Sequence, residues 1–181
     1  MEKLFLDDFI ELLRRRRSIR KFTPEPLSSD EVVELMRAAL YAPSSKGRKA
    51  CEYVVVDRPE LLRELAACKE AGGRLVEGAP LAVVVTGRMD LSDVWVEDAS
   101  VAATLLLLAA ESMGLGACWV QVRERGRADG TPAAAVVRSL LSLPPGVEPL
   151  AIVAVGRKAV SPVPHAEEDL PWEKIHFNTW G

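Results

Sequence analysis

Apolar positions along this chain follow two different periods. Leu6, Phe9, Ile10 and Leu13 recur at helical spacing, which predicts a helix from Asp7, as its N-cap, to about Arg17. Ser28 and Glu31 stand three apart like a capping box, with Leu27 and Val32 at the staple positions of a second helix. Val32, Leu35, Met36, Ala39 and Leu40 form its buried stripe, and Pro43 ends it. Further helices open at Pro59, burying Leu61, Leu62, Leu65 and Ala66, and at Thr131–Pro132, the latter ended by "PPG". Between these helices the apolar residues run without interruption. "YVVVD", "LAVVVTG", "ACWVQV" and "LAIVAVG" read as four strands covered on both faces.

That alternation predicts an α/β (α+β) three-layer sandwich: one central mixed sheet flanked by helices, in a single domain over 1–181. One helical stretch departs from the amphipathic pattern. "WVEDASVAATLLLLAAESMG" is apolar on nearly every face between Asp98 and Glu111, as a helix buried all round would be. A chain of this size seldom encloses a helix, so a second subunit is expected to cover one side. The tail, about 160–181, is rich in proline and aromatic residues and is expected to dock on that partner subunit.

Composition narrows the chemistry. With 181 residues, a net charge of −3 and 49% apolar residues, the chain suits one soluble domain and not a dedicated nucleic-acid binder. The uncharged run Ala99–Ala110 is too short to span a bilayer, and acids interrupt the apolar part of "MEKLFLDDFIELL", so a cytoplasmic protein is expected. Cys51, Cys68 and Cys118 form no CxxC pair, and His165 and His176 have no metal-ligand spacing. Neither a disulfide framework nor histidine chemistry is expected, and "HAEED" reads as a solvated acidic turn. Gly114 and Gly116 give only G-x-G, and Lys46-Gly47 has the wrong order for a phosphate-binding P-loop.

The remaining anomaly is "RRRRSIRKF", Arg14–Phe22, with six cations in nine positions. Part of it has a plain explanation, since a helix C-terminus favours cations. Past the helix end, "SIRKF" reads as extended chain, so Ser18 and Arg20 share a face while Ile19 points oppositely into the core. Arg16 or Arg17 can converge on the same spot. Two guanidinium forks and a hydroxyl suit a phosphate monoester, at roughly 1.5–3 kcal/mol per charge-assisted hydrogen bond. The alternatives are a solvated helix end and a basic arm for polyanions.

Taken in register, "RRRRSIRKF", "AALYAPSSKGRKACEYVVVD", "EDASVAATLLLLAAESMGLGACWVQ" and "LAIVAVG" resemble the nitroreductase family of flavin enzymes over about Leu12 to Gly156. The resemblance implies a homodimer with FMN at the subunit interface, reduced by NAD(P)H and re-oxidised by a nitroaromatic, a quinone or an enone. It implies that Arg16, Ser18 and Arg20, with Arg17 beside them, grip the flavin phosphate, and that Gly156 and Arg157 help close that site. Pro43, Ser44 and Ser45 would reach the flavin of the partner subunit. Trp119, Val120, Gln121 and Val122 would lie against the ring and its N5, and Arg74 would approach the pyrimidine edge. No side chain need act as acid, base or nucleophile. The chain departs from the family at Gly47, where asparagine is common, and at Lys49-Ala50-Cys51, where Gln-Pro-Trp or Arg-Pro-Trp is common. It departs again at Gln121-Val122, where Gly-Gly is common. A non-catalytic flavin carrier or sensor is the alternative these departures keep open.

Overall fold

The computed structural model describes residues 2–180, with side chains from Asp8 onward. Helix α1 spans Glu2–Arg15, so it starts before the expected cap and position 7 lies inside it. The side chains of Leu6 and Asp7 fall outside the described residues. The helix also ends two residues short of Arg17, because Ser18 already pairs with a strand. Helix α2, Ser29–Leu40, starts as expected: Ser28 Oγ accepts from the Glu31 N–H, and Glu31 Oε2 accepts from the Ser28 N–H at 2.8 Å. Leu35 and Ala39 are buried, but Leu40 is 66% exposed and leaves the predicted stripe at the last turn.

Strand β1 (Cys51–Val56) leads into α3 (Pro59–Ala66), which takes its proline in the first turn, where no N–H is needed. Then come β2 (Leu81–Arg88), α4 (Trp95–Ser112), β3 (Leu115–Gln121), α5 (Ala133–Leu141) and β4 (Val147–Arg157). The sheet order is β1-β2-β4-β3 with every neighbouring pair antiparallel. Among the described residues its parallel component is a single bridge, Ser18 to Ala117, which lays the Arg-rich strap along the outer edge of β3. Strand β4 begins three residues before the expected Leu150, with Pro149 tolerated next to a bulge opposite Val85–Thr86.

Two cores cover the two faces, as the uninterrupted apolar strands require. One packs α2 and α4 on Val83, Val85, Val153 and Val155. The other packs α3 and α5 on Ala82, Val84, Val120, Ile152 and Ala154. Helix α4 is not enclosed. Ala99, Ala102, Ala103, Leu106 and Ala110 are buried, while Val101 is 40% exposed and Glu97 and Thr104 are open. Beyond β4 the chain first pairs with the strap at Lys158 and then makes two short turns, Glu167–Asp169 and Trp172–Lys174, leaving Trp172, Phe177 and Trp180 exposed. Among the described residues no helix is long and apolar enough to cross a membrane.

Candidate functional site

The strap is fixed by its one apolar residue. Ile19 is buried, its N–H donates to the Ala117 carbonyl at 3.0 Å, and its side chain lies over Gly116. A Cβ at Gly116 would come within 2.7 Å of Ile19 Cγ2, so the strap reaches the sheet only because position 116 has no side chain. Anchoring Ile19 inward leaves Ser18 and Arg20 outward, as the two-residue period dictates.

The cations of the run then divide by partner. Arg14 is paired with Glu11 at 2.6 Å, one helical turn back, with Arg15 close to the same carboxylate. The Arg17 guanidinium donates to the Val163 carbonyl at 2.6 Å and holds the start of the tail. Arg16 and Arg20 have no carboxylate partner among the described residues. Both act on the thiol of Cys118: burial pushes that thiol up, while Arg20, the Ser18 hydroxyl, Arg16 and Lys69 all pull it down. Groups from two other chain segments, the strap and the turn after α3, therefore act on one point of β3.

Lys69, on the turn after α3, carried no sequence signal. Its Nζ donates to the Gln121 carbonyl at 3.0 Å, and burial holds its pKa below the ordinary lysine value. Arg74 is exposed in the turn Arg74–Val76 and shares a surface depression with Lys69 and Gly73. In an antiparallel ladder a residue turns its N–H and C=O to the same side, alternating along the strand. The Ala117 and Gln121 carbonyls both point away from β4, to Ile19 and Lys69. The N–H groups of Trp119 and Gln121 therefore face the open edge too.

Side chains on β3 take up the rest. Trp119 Nε1 donates to Gln121 Oε1 at 2.8 Å, and Gln121 Nε2 donates to the Arg123 carbonyl at 2.9 Å, which ties the glutamine down along the strand. Val120 and Val122 are buried in the α3–α5 core, so this stretch offers main chain and not valine side chains to a ligand. Gly156 is covered by Pro80 and Phe22. Its neighbour Arg157 is not brought to the cluster. Successive strand residues face opposite ways, and its guanidinium meets Glu31 at 2.7 Å and Glu25 at 2.9 Å beside α2.

The Pro43–Lys49 loop is a second region. Lys46, Gly47 and Lys49 all have positive φ, at 52°, 66° and 50°. Two hydrogen bonds to side chains help hold this shape: Lys49 N–H donates to Ser44 Oγ at 2.9 Å, and Ser45 N–H donates to Asp98 Oδ1 at 2.8 Å. Asp98 is buried on α4 and also accepts from Ser92 Oγ. It is a functional candidate that pattern reading missed, because an acid in the first turn of a helix is ordinary. A Cβ at Gly47 would meet nothing within 4 Å, so the space beside the missing asparagine is open. Cys51, half-buried below this loop, has its thiol pushed up to about 11, chiefly by burial and then by Asp98, so it is no thiolate at neutral pH.

An open strand edge with outward N–H groups, flanked by a hydroxyl and by guanidinium and ammonium groups that have no carboxylate partner among the described residues, has the chemistry to receive an anionic, hydrogen-bonding ligand. Residues 13–72 and 67–157 match the model of the Nitroreductase family, and the chain belongs to that family. An FMN-dependent nitroreductase from Clostridium difficile R20291 superposes with a TM-score of 0.92 at 38% identity, over 94% of this chain and 99% of that one. A Methanothermobacter thermautotrophicus protein bearing the name NADH dehydrogenase/NAD(P)H nitroreductase is 31% identical over 96% of this chain and 88% of its own. The NADPH:FMN oxidoreductase from Vibrio harveyi, solved with NAD+, is similar at 28% identity and a TM-score of 0.81, over 96% and 78% of the two chains.

Proposed function

We propose that the chain is an FMN-dependent NAD(P)H oxidoreductase, working as a cytoplasmic homodimer on a small oxidised acceptor such as a nitroaromatic, a quinone or an enone. The observation that carries this reading is the set Arg16, Ser18, Arg20 and Lys69 around β3, whose cations have no carboxylate partner among the described residues. What supports the reading is the convergence of two guanidinium groups, a hydroxyl and an ammonium on one strand edge, a donor set to which a phosphate with an electron-poor ring is complementary.

When bound, FMN supplies hydride transfer at N5; the protein supplies position and field. Arg16, Ser18 and Arg20 hold the phosphate, with Arg17 next to them fixing the tail. The outward N–H groups of Trp119 and Gln121 donate to the ring edge, and Arg74 faces the pyrimidine side, where negative charge collects. Pro43, Ser44, Ser45 and Gly47 close the partner's site. The open face of α4, with exposed Phe9, Ile10 and Leu13 of α1, is the dimer surface. The tail crosses to the partner, where the uncovered outer edge of β1 offers a strand to pair with.

The test is direct. Protein reconstituted with FMN should hold a yellow flavin band through gel filtration as a dimer and bleach under nitrogen with NADH or NADPH. Colour without bleaching by either nucleotide would make it a carrier; no colour and a monomer would end the reading.

A further inference from the structure

We propose that Lys69 is a positioning residue of the flavin site, fixing the main chain at Gln121 and adding a third charge between the phosphate cluster and the ring-facing edge of β3. This rests on the FMN reading above. Three observations carry it. Its Nζ donates to the Gln121 carbonyl, the acceptor next along the strand edge from the Gln121 N–H. Its charge acts on Cys118, the same group on which Arg16 and Arg20 act. It has no carboxylate partner among the described residues, although burial disfavours its charge.

A lysine that merely capped a stray carbonyl would be served as well by any neutral donor, and a charge would be a burden at a half-buried place beside Arg125. Cations lie on both sides of it: Arg125 acts on Lys69, and Lys69 acts with Arg16 and Arg20 on Cys118. Like charges are gathered in this way where an anion is to be received. Lys69 also differs from Arg74 in attachment. Arg74 is exposed in its turn, while Lys69 is held by the strand itself, so its effect on a ring lying along β3 passes through the Gln121 peptide.

The experiment compares Lys69→Met, Lys69→Gln and Lys69→Arg with the wild-type holoprotein. Two readouts are taken: FMN affinity by quenching of free flavin fluorescence, and the midpoint potential of bound FMN by dye-coupled reductive titration. Lys69→Met should weaken FMN binding roughly tenfold, because the Gln121 peptide loses the group that fixes it and the site loses a positive charge, and it should lower the midpoint potential. Lys69→Gln, which keeps a donor, should restore affinity more than potential. Lys69→Arg should restore both. Wild-type affinity and potential in Lys69→Met, with a normal melting curve, would overturn the role of Lys69 and leave the FMN reading intact. Failure of the wild type to bind FMN would overturn both. Should Lys69→Met fail to fold, Lys69→Gln and Lys69→Arg decide: equal potentials in the two refute a role for the charge.

Discussion

Two groups of arginine flank the same strand pair and have opposite fates. Arg157 leaves β4 on the α2 side and is met at once by Glu31 and Glu25. Arg16 and Arg20 lie along the β3 edge with no carboxylate beside them among the described residues, and share their neighbourhood with Lys69. The difference separates two uses of one side chain. A guanidinium whose charge is answered within the chain contributes to the fold, and one left unanswered at a rigid edge is available to a ligand. The rigidity matters as much as the charge: Ile19 pins the strap to Gly116, so a phosphate would find its cations already placed.

The largest effect expected from this contrast is on the unanswered side. The double variant Arg16→Ala, Arg20→Ala should lose FMN affinity by roughly a hundredfold or more, from two charge-assisted contacts at about 1.5–3 kcal/mol each. The apo protein should melt no lower, and slightly higher if mutual repulsion among the cations is relieved. Fluorescence titration and calorimetry read the two quantities separately. A fall in apo stability with intact affinity would mean that these arginines belong with Arg157.

Next comes the pin. Gly116→Val places a side chain where even a Cβ is 2.7 Å from Ile19. Overpacking of this kind costs about 1–3 kcal/mol, and the strap must lift to relieve it. Loss of FMN affinity should therefore accompany the loss of stability, with the urea midpoint falling and Arg16 and Arg20 still present. Unchanged affinity in a destabilised Gly116→Val would show that the strap needs no anchor to bind.

How far these features were legible follows from the same distinction. The strands, the capping box at Ser28 and Glu31, and the proline-led α3 could be read because local physics alone fixes them. Arg16, Ser18 and Arg20 could be read because the two-residue period around a single isoleucine sorts them. Lys69 could not: its partner is a backbone carbonyl 52 positions away, and no residue pattern announces a carbonyl. Arg157 was assigned to the phosphate on resemblance, and its side of the sheet depends on one step of strand parity and on Glu25 and Glu31 arriving from elsewhere. Helix α4 was legible only in part: its sequence is apolar on nearly every face, and within one chain it is buried on the face carrying Ala99, Ala103 and Leu106.

The Pro43–Lys49 loop is the inverse of the β3 edge. There a buried carboxylate, Asp98, has no cation among the described residues and is answered by the Ser45 N–H and the Ser92 hydroxyl. Asp98→Ala should free a loop with three positive-φ residues, since the half-buried Ser45 N–H loses a charged acceptor worth about 1.5–3 kcal/mol at most. If the loop closes the partner's site, flavin release should quicken by about tenfold or less, and Asp98→Asn, which keeps an acceptor, should recover most of it. Equal release rates in Asp98→Ala and wild type would detach this loop from the site.

The smallest effect tests the answered side. Arg157, then the Ser28 N–H, holds the Glu31 carboxyl below the usual carboxylate range. A group with a lowered folded pKa adds stability that is fully present above its unfolded pKa, about 4.3, and lost as pH falls through the folded value. Glu31 is on the surface, so the gain is screened and modest, about 0.5–1 kcal/mol with the capping contact included. Urea midpoints measured from neutral pH into the acid range should show Glu31→Gln below wild type at neutral pH. The two should converge in acid as the wild-type carboxyl takes up its proton. Flavin affinity at neutral pH should be the same in both. A Glu31→Gln variant that lost FMN would place Arg157 back at the phosphate, because freeing its guanidinium from one carboxylate would then have changed the site and not only the fold.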